Sequence, residues 1–163
     1  MANKKCKFDA VPVFIFKSLK DIFSPIISNL FNASIVEGIF PTALKNAVIT
    51  PVYKSGPVNL VNNFRPISIL STLSKLFEKL MCTRLKKFIA CTNFLKDNQF
   101  GFRENNSTND AILELLDMCY SSLDSRKYFV TVFLDLSKAF DTLDHGILLA
   151  KMNHMGVRGT LLK

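Results

Sequence analysis

The run Tyr128-Phe-Val-Thr-Val-Phe-Leu-Asp135 puts apolar side chains on both parities of an extended chain. A strand built from it needs cover on both faces, as in the middle of a sheet. No other stretch constrains the fold so strongly, and it predicts a buried strand over Phe129–Leu134 that delivers Asp135 at its C-terminal end. A carboxylate at the tip of such a strand can hold a hard divalent cation beside phosphate oxygens. Leu136 to Ala139 is enough chain to turn back, so the Phe140 ring is expected beside whatever a cation at Asp135 holds. On residues alone, a plainer alternative is a strand, a turn and an aspartate capping the next helix.

Length and charge set the frame for that strand. At 163 residues and 48% hydrophobic content the chain can bury the core of one domain. Its net charge of +8 calls for a polyanionic partner. The charge is uneven: residues 1–90 hold thirteen Lys/Arg against four Asp/Glu, and residues 91–163 hold eight against nine. Cys6, Cys82, Cys91 and Cys119 form no Cys-x-x-Cys pair, which fits reduced, partly buried thiols in an intracellular protein (nucleus or cytoplasm) with no disulfide-linked partner. His145 and His154 lack zinc-like spacing. The basic start Lys4-Lys5-Cys6-Lys7 precedes an apolar run interrupted by Pro12, too short for a signal segment, and no stretch is suited to spanning a membrane.

Taken in order, Val13 to Ser34 follows the helical repeat through Ile15, Leu19, Ile22, Phe23, Ile26, Ile27, Leu30 and Phe31. It reads as a helix kinked, or two helices split, at Pro25, with Gly38 and Pro41 as stops. Ala47–Tyr53 is a strand that Pro51 pushes to a sheet edge. Lys54-Ser-Gly56-Pro57 turns the chain, and Asn63-Phe-Arg65-Pro66-Ile-Ser-Ile-Leu70 returns. A hairpin with Lys54 on one arm and Arg65 on the other can grip a triphosphate, the arginine through its planar fork and the lysine as a point charge.

Ser71 or Thr72 caps a helix to about Ile89. Its expected inner stripe is Leu73, Leu76, Phe77, Leu80, Met81, Leu85, Phe88 and Ile89, with Lys75, Lys79, Lys86 and Lys87 outside. That basic face is either solvated or a track for a nucleic-acid backbone. Asn98-Gln99-Phe100-Gly101-Phe102-Arg103 is a loop whose rings and guanidinium suit bases and phosphate, unless the rings plug a core edge. Ser107-Thr-Asn-Asp110 is a capping box for a helix with core stripe Ile112, Leu115, Leu116, Cys119 and Leu123. A short helix from His145 to about Met155 turns Ile147, Leu148 and Met152 inward, and Gly156-Val-Arg158-Gly159 ends it.

Four of these segments carry a shared resemblance. Val-Ile-Thr-Pro-Val-Tyr-Lys54, Asn-Phe-Arg65-Pro-Ile-Ser, Gln-Phe-Gly101-Phe-Arg103 with Ser-Thr-Asn-Asp110-Ala-Ile, and Phe-Leu-Asp135-Leu-Ser-Lys-Ala-Phe140-Asp stand in that order. They resemble the motifs of reverse transcriptases encoded by LINE-type (non-LTR) retrotransposons. The lead-in Leu-Phe-Asn32 through Lys45 is similar too, so the likeness covers roughly residues 29–159.

The resemblance implies an α+β fold: the fingers (42–127) and the start of the palm (128–163) of a right-hand polymerase, after a helical lead-in (1–41). It implies RNA-directed DNA polymerase chemistry with an RNA template, a DNA primer, deoxynucleoside triphosphates and Mg²⁺. By position, Asp135 is a metal-binding carboxylate and the Leu136 carbonyl a further ligand. Phe140 excludes a ribose 2′-hydroxyl, Lys54 and Arg65 hold the triphosphate, and Gly101, Phe102 and Arg103 lie along the template. The family's second catalytic segment, an aromatic residue followed by Ala-Asp-Asp, does not occur before Lys163. The two-metal site is therefore expected to be incomplete in this chain, which should neither polymerise DNA alone nor stay readily soluble. A nucleic-acid-binding module without catalysis and a non-functional retrotransposon remnant are the other readings.

Overall fold

Short-range signals form most of the elements. A computed structural model describes residues 11–92 and 94–162, so the expectations for Cys6 and the basic start lie outside it. Among the described residues the helices are α1 (Val13–Ser18), α2 (Lys20–Glu37), α3 (Thr72–Cys91), α4 (Thr108–Asp124) and α5 (His145–His154). The strands β1 (Ala47–Tyr53) and β2 (Phe64–Leu70) pair antiparallel in a two-stranded sheet. The chain divides into two compact units, one of Met1–Lys87 with Met152–Lys163 and the other of Phe88–Lys151.

In the first unit, the expected break at Pro25 falls instead at Leu19, where φ −109° and ψ 32° separate α1 from α2. Pro25 sits inside α2. It forgoes one backbone bond in the second turn of an 18-residue helix, a loss the surrounding bonds carry. Phe16 and Phe23, with ring centroids 5.1 Å apart, brace the break. Gly38 ends α2 with φ 69°, and the Ile39 N–H reaches back to the Ser34 carbonyl, as a left-handed helix end requires. Of the predicted stripe, Phe31 is buried and Ile15, Phe23 and Ile27 are half-buried, whereas Leu19, Ile22, Ile26 and Leu30 are exposed.

The core gathers where α2, α3 and the 3₁₀ turn Thr42–Leu44 meet. Phe31, Leu44 and Phe77 form its centre, with Ile27, Ile35, Phe40, Leu73, Leu80 and Met81 around them. The Phe77 ring stacks on Phe31 at 4.5 Å and lies 5.3 Å from Phe40. Ser71 caps α3 by accepting from the Ser74 N–H, and the fully buried Ser74 hydroxyl donates to the Leu44 carbonyl at 2.9 Å. That bond satisfies both polar groups and fixes the rotation of α3 against the turn. Leu76 and Phe88, expected inside, are exposed, because the core reaches α3 only through the stripe centred on Phe77.

In the second unit, α4 begins with the expected capping box. Ser107 Oγ accepts from the Asp110 N–H, and the Asp110 carboxylate accepts from both the N–H and the hydroxyl of Ser107. The Ser107 hydroxyl and N–H together hold the Asp110 carboxyl below its usual range. The helix ends on Arg126 at φ 54°, with Arg126 N–H donating to Leu123 and Lys127 N–H to Ser122. This pattern favours glycine at the left-handed position. Arg126→Gly is therefore expected to raise stability by about 1 kcal/mol, read as a higher denaturation midpoint.

Several expectations for the later part of the chain fail. No described residue of 128–136 joins a strand; the segment is irregular, and Tyr128, Val130, Val132, Phe133, Leu134 and Leu136 are exposed. The physical reason is that a strand exists only through its ladder partners, and the paired strands β1 and β2 hold only each other. Within α4, Ile112, Leu116 and Leu123 are exposed and Leu115 and Cys119 half-buried, so the stripe has the right period but little to pack against. In α5, Ile147 and Leu148 are exposed and Met152 is half-buried. Cys82 and Cys91 are likewise exposed free thiols rather than partly buried ones.

Candidate functional site

The site residues of the first unit sit on the hairpin. The register pairs Val52 with Arg65 and Tyr53 with Phe64, and the Lys54 N–H continues it by donating to the Asn63 carbonyl at 2.8 Å. Side chains alternate along a strand and agree across a pair, so Lys54, Val52 and Arg65 share one face. Tyr53 and Phe64 share the other, where their rings meet at 5.7 Å. Lys54 and Arg65 are thus diagonal neighbours, both exposed, and neither is joined to a carboxylate among the described residues.

The turn that holds them apart is locked by groups that sequence reasoning passed over. Tyr53 donates its hydroxyl to the Gly56 carbonyl, and Asn63 Nδ2 donates to the Pro57 carbonyl at 2.7 Å. Gly56 has φ 89°, and a Cβ there would stand 2.7 Å from Asn63 Nδ2. Only glycine fits that position. The sequence signals were the Gly-Pro pair and an asparagine across the turn, but nothing in them specified which carbonyls would be bonded.

The second unit holds the remaining candidates. Arg103 donates to the Lys96 carbonyl at 2.7 Å, Gln99 Nε2 to the Gly101 carbonyl at 3.3 Å, and Asn106 Nδ2 to the Gln99 carbonyl at 3.5 Å. These bonds shape the loop and leave further guanidinium donors on Arg103. Gly101 has open space where a Cβ would be, so the protein's own packing does not demand a glycine there. The left-handed position falls one residue later, on Phe102 at φ 62°, whose ring is 90% exposed.

Asp135 and Leu136 lie exposed in the irregular segment. Beyond them Lys138, at φ 53°, begins a turn closed by the Asp141 N–H on its carbonyl, and the turn presents Phe140, 80% exposed. Phe102 and Phe140 meet edge to face, with centroids 6.1 Å apart and planes at 87°. No sequence signal pointed to that pairing. Asp144 accepts from the Ile147 N–H and so serves as the cap of α5.

The metal expectation meets a limit here. Among the described residues no three His, Cys, Asp or Glu gather as a metal group. Asp135 with the Leu136 carbonyl does not by itself make the ligand set that two divalent cations about 3.5–4 Å apart require. No catalytic step follows from a metal held by these residues alone. No described helix is long and apolar enough to cross a membrane.

Comparison with known proteins gives these parts a common origin. Residues 52–163 match the family described as reverse transcriptase (RNA-dependent DNA polymerase). A probable RNA-directed DNA polymerase from transposon BS of Drosophila melanogaster is 35% identical over 127 residues, 77% of this chain and 14% of that protein. That from transposon X-element of the same species is 32% identical over 144 residues, 88% of this chain and 16% of the relative. The RNA-directed DNA polymerase from its mobile element jockey is 31% identical over 138 residues, 84% and 15% respectively. The chain therefore spans about a seventh of the length of the curated relatives it matches. No solved structure matches it. With a family match that takes in β2, α3, α4 and α5, and relatives that overlap most of its length, the chain belongs to the reverse transcriptase family, in the branch of the non-LTR retrotransposons.

Proposed function

We propose that this chain contributes the nucleotide- and template-handling part of an RNA-directed DNA polymerase, the fingers (42–127) and the start of the palm (128–163) of a right-hand fold behind a helical lead-in (1–41). The observation that carries the reading is the hairpin, which brings Lys54 and Arg65 onto one exposed face inside the family match or at its edge. Two uncompensated cations on a rigid two-stranded frame attract a triphosphate, and the guanidinium fork can bind two of its oxygens at once. In this reading Gly101, Phe102 and Arg103 follow an RNA template paired with a DNA primer, and Phe140 rejects ribonucleotides at the 2′-position. Asp135 and the Leu136 carbonyl supply one part of a Mg²⁺ site whose other ligands come from elsewhere in the polymerase. The working place is intracellular, where RNA and deoxynucleotides are found.

The test is primer extension on an RNA template by a protein of the relatives' length that carries these residues, with an Asp135→Asn variant setting the background. Phe140→Ala is expected to raise the ratio of ribo- to deoxynucleotide incorporation at least tenfold, since it opens the space a 2′-hydroxyl would occupy. An unchanged ratio removes Phe140 from the site.

One observation favours a second reading for the chain by itself: its described residues gather no metal group, while its first half carries the positive charge. Salt-dependent RNA binding without nucleotide incorporation would be its signature.

A further inference from the structure

The face of α3 that points away from the core carries a row of lysines. At 3.6 residues per turn, Lys79 lies about 40° and Lys86 about 20° around the helix from Lys75. The residues that meet the core, Leu73, Ser74, Phe77, Leu80 and Met81, centre about 180° away. The three lysines are exposed and span about 16 Å along the axis. Glu78 is the one acid in α3, about 60° off the row.

We infer that this row is a docking track for the phosphate backbone of a nucleic-acid strand. The inference rests on the polymerase reading above and adds to it a binding surface separate from the nucleotide hairpin. Charge complementarity is its first support: the row holds three of the five basic residues of α3, and it lies in residues 1–90, which carry the whole positive excess of the chain. The second is rigidity. The Ser74–Leu44 hydrogen bond and the Phe77 stack fix the helix's rotation, so Lys75, Lys79 and Lys86 keep one line, while Lys87 and Arg84 lie about 120° and 180° around the helix from Lys75. A third is the cost of the arrangement. Lys75 and Lys79 form a like-charge pair at i,i+4 that weakens a helix by a few tenths of a kcal/mol, where a glutamate would strengthen it.

A solvated face has no reason to keep lysines in one row, since mixed charges serve solubility better. A membrane surface fits worse still. Helices that lie on bilayers insert a broad free apolar face, whereas Leu73, Phe77, Leu80 and Met81 of α3 pack on the core and Leu76 and Phe88 alone among its large apolar residues are exposed. A strand of phosphates needs only the cations, in line and in reach.

The test uses this chain and a fluorescent single-stranded RNA, with anisotropy read across a range of salt. Lys75→Gln, Lys79→Gln and Lys86→Gln combined are expected to weaken binding at least tenfold. The slope of log affinity against log salt should become shallower by about 2, the loss of three phosphate contacts. A second triple variant, Lys17→Gln, Lys20→Gln and Lys45→Gln, removes the same charge elsewhere and should change the slope by less than about 1. Equal losses in the two triples would overturn the track in favour of net charge alone. An unchanged slope in the α3 triple would overturn it outright. Circular dichroism of both triples keeps a folding defect from being read as lost binding: a folded α3 triple with the expected loss supports the track, and a loss confined to an unfolded triple counts against it. Failure of the polymerase reading would look different, with RNA binding dependent on the row but no primer extension by the longer protein.

Discussion

Phe77→Ala is expected to destabilise the chain by about 3–5 kcal/mol, the cost of emptying an aromatic site in a core. Phe77 is 4% exposed, and its ring is the common neighbour of Phe31 and Phe40. Deleting it leaves a hole bounded by rings that cannot collapse inward, because α3 is pinned by the Ser74–Leu44 bond. The rest of the core offers little in reserve: besides Phe77, the buried apolar residues among those described are Phe31, Leu44 and Val157. Against a usual total of about 5–15 kcal/mol, the loss should leave a substantial unfolded population at room temperature. The measurement is a denaturant titration followed by circular dichroism. Leu76→Ala, one residue earlier but exposed, should cost under about 1 kcal/mol. Similar shifts for the two variants would mean that the core is not where Phe77 lies.

That contrast between neighbours also marks how far the sequence could be read. The first arm of the hairpin was legible to the residue, Ala47–Tyr53, and its second arm to within one, Phe64–Leu70 against Asn63–Leu70, whereas the 3₁₀ turn Val61–Asn63 in the connection was not read. The start of α3 and the capping box of α4 were legible because each needs only a hydroxyl and a backbone donor three residues on. The stripes of α2 and α3 met in the core at Phe31 and Phe77, but most other readings that depend on partners distant in the chain failed. Periodicity located the stripes of α4 and α5 but not what would cover them, and Ile112, Leu116 and Ile147 are exposed. The segment Phe129–Leu134 has strong strand composition, yet composition cannot supply a ladder, and these residues have none among those described.

The candidate site divides along the same line. Lys54 and Arg65 fall on the two arms of one hairpin, as the strand composition indicated, while their register comes from the connection 54–63 and its own bonds. The Phe102–Phe140 contact joins residues 38 positions apart through two left-handed backbone positions, Phe102 and Lys138. Neither position shows in the sequence, where Gly101 invites the expectation that it takes the strained conformation. Open space stands where a Cβ on Gly101 would be, so neither packing nor a left-handed backbone accounts for the glycine there.

Arg65→Ala is expected to lower the affinity of this chain for a deoxynucleoside triphosphate by about 10–100-fold, the worth of hydrogen bonds to a charged partner. The hairpin sets the reason. Arg65 is opposite Val52, and Lys54 is two residues further on the same face, so both side chains can converge on one polyanion. Arg65 should matter more than Lys54, because a planar fork binds two oxygens where an ammonium acts as a point charge. Arg65→Lys should therefore recover only part of the loss, and Lys54→Ala should fall between wild type and Arg65→Ala. None of the three should change RNA affinity more than about twofold, since one phosphate contact among several carries little of a polyelectrolyte interaction. Calorimetric titration with triphosphate, beside anisotropy with RNA, separates the two ligands. Full recovery by Arg65→Lys would reduce the site to simple charge, and equal losses for both ligands would make the hairpin part of the RNA surface instead of a nucleotide grip.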